Sequence, residues 1–265
     1  SNPEAAILQG ARDGAEFGRT RPSDCGIVGD TGLVMEQLTA LAAAQGFSAT
    51  MVKPWLDSIR AKEQQKLEAT RPELESEDVP INPLRACHEI AKAFGPDTTY
   101  IGDGGDFVAT AASVLPIYEQ GQWLDPGPLG TLGVGPGYAM AAKLAKPDKP
   151  VVIVYGDGSF GLHGLEFEAM VRQKINVIGI MGNDAAWQQI RRGQVQIYGS
   201  ERAVATGLDY TRYDKVVEAL GGHGEYVERP EDIGPAIART LAAGKPGLVN
   251  IKIGRSEFRK DAISI

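Results

Sequence analysis

From about Pro83 onward, short apolar runs recur along the chain, each ending in a glycine-rich or acidic turn. TTYIGDGG, VVIVYGDG and NVIGIMGND read as strands running into such turns, and PGLVNIKIG reads as a final strand. Between and before them, PLRACHEIAKAFG, VGPGYAMAAKLA and GLEFEAMVRQK carry helical spacing. The apolar strands do not alternate with polar residues, so both faces are expected to be buried. With amphipathic helices between them, they predict an α/β fold: a doubly wound, mostly parallel sheet flanked by helices.

The N-terminal part has a different texture. Residues 1–50 end in TGLVMEQLTALAAAQ, with Leu33 and Leu41 at helical spacing. A charged helix and a Pro/Glu/Asp-rich run follow over 51–82 and read as a solvated helix and a linker. Residues 83–253 hold the strand–loop–helix pattern, leaving 254–265 as a C-terminal segment. No tandem repeat is present.

Composition narrows the function. The 265 residues, 43% of them hydrophobic, can bury a proper core, and the net charge of −7 disfavours a nucleic-acid or anionic membrane surface. No apolar run reaches transmembrane length, and Ser1–Gln9 lacks a signal-peptide build. Cys25 and Cys87 have no metal-type spacing, and reduced thiols fit a cytoplasmic setting. His88, His163 and His223 form no ligand pattern. Many of the 33 glycines cluster between Gly102 and Gly164, which draws attention to the loops there.

Ligands of parallel α/β sheets sit at the carboxyl ends of the strands. Three loops fall at those ends: GDGG (102–105), GDGSFG (156–161) and GND (182–184). The second contains Gly156-x-Gly158-x-x-Gly161, the letters of a dinucleotide-binding turn. Asp157 complicates that reading, because its carboxylate repels a pyrophosphate unless a cation lies between them. Parallel neighbours would set Asp157 beside Asp184, and paired carboxylates around a hard cation are magnesium or calcium chemistry. The rival dinucleotide reading casts Asp184 as the acid that holds a ribose hydroxyl, and leaves Asp157 without a role.

GDGSFGLHGLEFEAMVRQKINVIGIMGND resembles the diphosphate-binding motif of thiamine-diphosphate-dependent enzymes, which opens on GDG and closes on an Asn-Asn or Asn-Asp pair. The resemblance implies Mg2+ held by Asp157, Asp184 and the backbone carbonyl of Ala186. It also implies that Gly158 and Ser159 donate to the diphosphate, as amides and a hydroxyl at a helix start suit an anion. LDPGPLGTLGVGPGYAMAAKLAKPD is similar to a second family segment. By that likeness the Gly130 carbonyl and the Leu132 amide serve the aminopyrimidine, and the Leu132 side chain bends the cofactor.

IGDGGDFVATAA, WLDPG, GNDAAWQQIRRGQV and the tail IGRSEFRKDAISI resemble the acetolactate-synthase-like 2-hydroxyacyl-CoA lyases. This likeness adds Gly104, Gly105, Asp106 and Trp187 to the expected cofactor-binding set, and a tail that closes as a lid over 254–265. AAWQQIRRGQVQ can be helical, which puts Ile190 and Gln194, four apart, on one face; the resemblance implies that this face lies over the cofactor, with Gln194 orienting a substrate hydroxyl. Trp187 is expected mainly to pack, and His163 to occupy an ordinary helix position.

The family's architecture implies that residues 1–50 are the end of a central domain. It also implies a pyrimidine-binding domain, with its catalytic glutamate, outside this chain, so that this chain needs that domain as a partner for activity. The expected function is a thiamine-diphosphate- and Mg2+-dependent C–C lyase. It would split a 2-hydroxyacyl-CoA into formyl-CoA and an aldehyde or ketone, in a dimer or tetramer of the complete enzyme. The alternatives are an acetolactate synthase and a non-catalytic cofactor-binding or assembly module.

Overall fold

The structure, a computed structural model, describes residues 4–255. The chain divides into two compact units, residues 1–69 and 70–265. In the first, β1 (Leu8–Ala11) pairs in parallel with β2 (Cys25–Val28). There α1 (Thr31–Ala44) starts on the Asp30 carboxylate, which accepts the amides of Gly32 and Leu33 at 3.0 and 3.2 Å. The division falls within α2 (Ala49–Leu74), a continuous charged helix.

The second unit carries the sheet. Asn82 caps α3 (Pro83–Ala93), accepting the Leu84 amide at 2.9 Å with Pro83 in the first turn, where its missing N–H costs nothing. The chain continues through β3 (Thr99–Asp103), α4 (Asp106–Val114), β4 (Trp123–Leu124), α5 (Gly135–Ala145) and β5 (Val151–Gly156). There follow α6 (Asp157–His163), α7 (Phe167–Gln173), β6 (Ile178–Asn183) and α8 (Gln188–Tyr198). The last elements are α9 (Tyr213–Ala219), β7 (His223–Val227), α10 (Ile233–Ala242) and β8 (Gly247–Lys252).

Strands β3 to β8 form one six-stranded sheet in the order β4-β3-β5-β6-β8-β7, in which every pairing of these strands is parallel. Strand β5 shows why its sequence does not alternate. Val152 and Val154 enter one core with Ile90, Phe107 and Ile237, while Val151, Ile153 and Tyr155 enter a second with Phe167 and Met170. Successive side chains point to opposite faces, and helices cover both. The fold is the doubly wound α/β architecture that the pattern predicts.

The structure redraws three stretches. GDGSFGLH is already helical, so the helix expected from Gly164 begins at Asp157 and breaks into α6 and α7 around a short 3-10 turn at Gly164–Glu166. HGEYV forms the edge strand β7, whose half-buried polar residues gave no apolar run. IGPAIARTLA forms α10 despite its Gly-Pro pair, because Pro235 sits in the first turn where a helix tolerates proline. No described helix is long and apolar enough to cross a membrane.

Candidate cofactor and metal site

Strands β5 and β6 pair with Gly156 opposite Gly182, so Asp157 and Asn183–Asp184 leave the sheet side by side. Next to them β3 ends at Asp103, opposite Tyr155. The loops beyond these ends surround a cavity of about 460 Å³. Of the residues singled out in the sequence, Gly104, Gly105, Asp106, Gly130 and Leu132 line it, together with Asp157, Gly158 and Ser159. Asp184, Ala186, Trp187 and Ile190 complete the wall, with Phe107, Val108 and Trp123 on the apolar side.

Gln194 does not line it. Its carboxamide is engaged elsewhere: Oε1 accepts from the Val204 amide and the Thr206 hydroxyl, both at 3.2 Å, and Nε2 donates to the Val204 carbonyl at 3.3 Å. The expectation that Gln194 faces the cofactor is therefore corrected. One turn along α8 from Ile190, the helix meets the 204–206 segment rather than the cavity. His163 is exposed and also lies outside the lining.

Two glycines are required by close approach. Gly104 has φ +129°, and a Cβ there would lie 2.7 Å from Ser159 Oγ and 2.9 Å from the Gly156 amide nitrogen. A Cβ on Gly158 would lie 2.6 Å from the Trp187 ring, so the indole rests on the Asp157–Gly158 turn. The Ser159 hydroxyl donates to the Asp103 carbonyl at 2.5 Å, tying the end of β3 to the start of α6. Its single proton is thus used within the protein here, and the amides are the donors this turn holds ready for an anion.

Four carboxylates are buried around these strand ends: Asp103, Asp106, Asp157 and Asp184. Two are matched. Asp103 accepts the amides of Gly133 and Gly135, each at 2.8 Å, and so fastens the loop that presents Gly130 and Leu132. Asp106 receives both arms of Arg192 at 2.7 Å, a bidentate buried pair. Asp106, expected as a cofactor contact, is thus also an anchor for α8. Neither Asp103 nor Arg192 was singled out in the sequence, because their partners lie about thirty and eighty-six positions away.

The other pair has only partial compensation. Asp157 accepts the amides of Gly158 at 2.9 Å and Ala186 at 3.2 Å, yet burial still pushes its carboxyl up to about 6. Asp184 is pushed up to about 8, by burial first and then by the negative charges of Asp157 and Asp106, with Arg255 opposing. Between Asp184 and Ala186, Ala185 adopts φ +55°, held by its amide on Asn183 Oδ1 at 3.2 Å and by Leu208 on its carbonyl at 2.9 Å. Such strain in a non-glycine residue is paid for by surrounding contacts and tends to mark functional loops.

These residues fit a hard cation. Two neighbouring buried carboxylates, Asp157 raised by burial and Asp184 by burial and by the charge of Asp157, are stabilised by a divalent ion between them, and a backbone carbonyl suits the same oxygen-loving metal. No group of three His, Cys, Asp or Glu side chains able to hold a metal gathers among the described residues, so further ligands must be backbone, water or a phosphate. Cavity and carboxylates together accommodate a metal-bound diphosphate. Of the C-terminal segment expected to act as a lid, residues 256–265 lie outside the described residues.

Residues 103–251 match the thiamine pyrophosphate enzyme C-terminal TPP binding domain. Over 232 residues the chain is 39% identical to the acetolactate synthase large subunit IlvG of Mycobacterium tuberculosis, covering 87% of this chain and 41% of that protein. It is 41% identical over 220 residues to 2-hydroxyacyl-CoA lyase 2 of Bos taurus, covering 80% of this chain and 34% of that protein. It is 38% identical over 227 residues to 2-hydroxyacyl-CoA lyase 2 of Homo sapiens, covering 82% and 35%. The chain thus spans well under half the length of these relatives.

Proposed function

The chain belongs to the thiamine pyrophosphate enzymes, carrying their C-terminal cofactor-binding domain, and from that premise we propose that it serves a Mg2+-dependent lyase acting on 2-hydroxyacyl-CoA. The products are formyl-CoA and an aldehyde or ketone. The observation that carries the metal assignment is the pair Asp157 and Asp184, buried at neighbouring strand ends and both raised in proton affinity. In this reading they hold Mg2+ with the Ala186 carbonyl, and the amides around Gly158 and Ser159 meet the diphosphate. Gly104 lets the turn after β3 pack against Ser159 and Gly156, and Gly105 lets it pack against Gln189, which shapes the wall beside the diphosphate. Gly130 and Leu132 orient the aminopyrimidine, while Trp187 and Ile190 exclude water above it.

When bound, thiamine diphosphate supplies a carbon nucleophile and an electron sink for breaking a C–C bond. Residues 83–253 act as the diphosphate-binding domain, and residues 1–50 close a central domain. A pyrimidine-binding domain on another chain or segment supplies the glutamate of the proton relay, within a dimer or tetramer. Reduced Cys25 and Cys87 support a cytoplasmic setting.

A second reading rests on the 39% identity to an acetolactate synthase, which stands level with the lyase relatives. Incubating the complete enzyme with a 2-hydroxyacyl-CoA and, separately, with pyruvate decides between them. Formyl-CoA release supports the lyase, and acetolactate without acyl-CoA cleavage supports the synthase. Cofactor binding with neither turnover supports a non-catalytic module.

A further inference from the structure

Helix α8 carries Ile190 and follows directly on Trp187, yet Arg192 is its one buried residue. Its large apolar side chains are exposed: Ile190, Ile197 and Tyr198 are each more than half accessible. Apolar packing, the usual means of docking a helix on a sheet, is therefore nearly absent along its length. What reaches inward is the Arg192 guanidinium, 8% exposed, gripping both oxygens of Asp106 at 2.7 Å. Asp106 in turn opens α4, where the partial positive charge of the helix start favours a carboxylate.

We infer that Asp106 and Arg192 are positioning residues whose ion pair docks α8 to the β3–α4 junction and thereby sets the wall that Trp187 and Ile190 give the cavity. Three features support this. The fork is bidentate, so it fixes the roll of the helix as well as its distance. The pair is buried, so solvent screens it little. At its start α8 is fixed by Trp187, whose indole rests on Gly158 and whose amide donates to the Thr206 carbonyl at 3.0 Å. With Arg192 pinned five residues later, the intervening Ile190 is held against the opening. The pair also gives Asp106 a cation of its own, so that among the described residues it is the one of the site's four buried carboxylates matched by a charged side chain.

The docking claim concerns this chain alone, whereas its effect on cofactor affinity rests on the function proposed above. Hydrogen exchange on the metal- and cofactor-free protein tests the first. In Arg192→Met the α8 amides should exchange at least about tenfold faster while those of β5 and β6 keep their protection. Arg192→Lys, which keeps the charge but loses the fork, should fall between. The double variant Asp106→Asn with Arg192→Gln, a neutral hydrogen-bonding pair, should recover part of the protection. Should Arg192→Met fail to fold, Arg192→Lys and the double variant carry the same comparison.

Calorimetry with Mg2+ and thiamine diphosphate tests the second part, with about tenfold weaker binding expected in Arg192→Met. Unchanged α8 exchange in a folded Arg192→Met overturns the inference even where wild-type cofactor binding upholds the functional reading. If the wild type binds no cofactor, the functional reading falls, and the exchange data still decide the docking claim.

Discussion

The Ala186 amide donates to Asp157 Oδ2 at 3.2 Å, joining the turn after β5 to the turn after β6. That bond fixes the separation of the two loops before any ligand arrives. It also leaves Asp157 buried beside Asp184 with no side-chain cation bonded to it among the described residues.

The pH dependence of stability follows from that arrangement. Asp184 near 8 and Asp157 near 6 both lie above the ordinary carboxylate range. A carboxyl raised on folding stabilises the protein below its unfolded value, and that contribution is lost as pH rises through the folded value. The cofactor-free protein should therefore lose stability as pH climbs from about 4 to about 8, with Asp184 responsible for the upper part. Thermal melts at stepped pH check this. Asp184→Asn should flatten the upper limb, as should Mg2+ with thiamine diphosphate in the wild type. A variant limb as steep as the wild type's contradicts the assignment.

Asp103→Ala removes an acceptor shared by the Gly133 and Gly135 amides and leaves both without it. Urea unfolding should show a loss of about 2–3 kcal/mol. The cavity loop carrying Gly130 and Leu132 should become susceptible to limited proteolysis. Full stability and an intact loop would show that Asp103 is dispensable.

Gly104→Ala forces a side chain into φ +129° and within 2.9 Å of a backbone nitrogen, so it should cost roughly 1–3 kcal/mol and weaken cofactor binding together. In Gly158→Ala the three nearest neighbours of the new methyl are all Trp187 ring atoms, so the variant should shift tryptophan fluorescence by displacing the indole. An unshifted spectrum would mean that Trp187 does not rest on this turn.

Much of this was legible from the chain. Val151–Gly156 and Ile178–Asn183 announced buried parallel strands through unbroken apolar runs, and GDG with GND marked their ends. The site details were not. Asp106 and Arg192 are 86 positions apart, and no local spacing reveals such a pair. Gln194 was misplaced for the opposite reason: helical spacing correctly put it a turn from Ile190, but the 204–206 segment that captures its carboxamide is a tertiary contact. The edge strand β7 escaped because half-burial at a sheet edge leaves no continuous apolar signature.

Gln194→Ala should accordingly cost about 1 kcal/mol by releasing Val204 and Thr206, with affinity for Mg2+ and thiamine diphosphate changed less than about twofold. Calorimetry and denaturation on the same samples separate the two effects. A large affinity loss with unchanged stability would return Gln194 to the cavity.

The central claim is that Asp157 and Asp184 hold the cation through which this chain binds a diphosphate. Titrating thiamine diphosphate into the complete enzyme by calorimetry, with and without Mg2+, tests it most directly in the wild type and in Asp157→Ala. Binding should be Mg2+-dependent in the wild type and undetectable in the variant, and neither should bind NAD. Equal affinity in wild type and variant, or binding of NAD to the wild type, would contradict it.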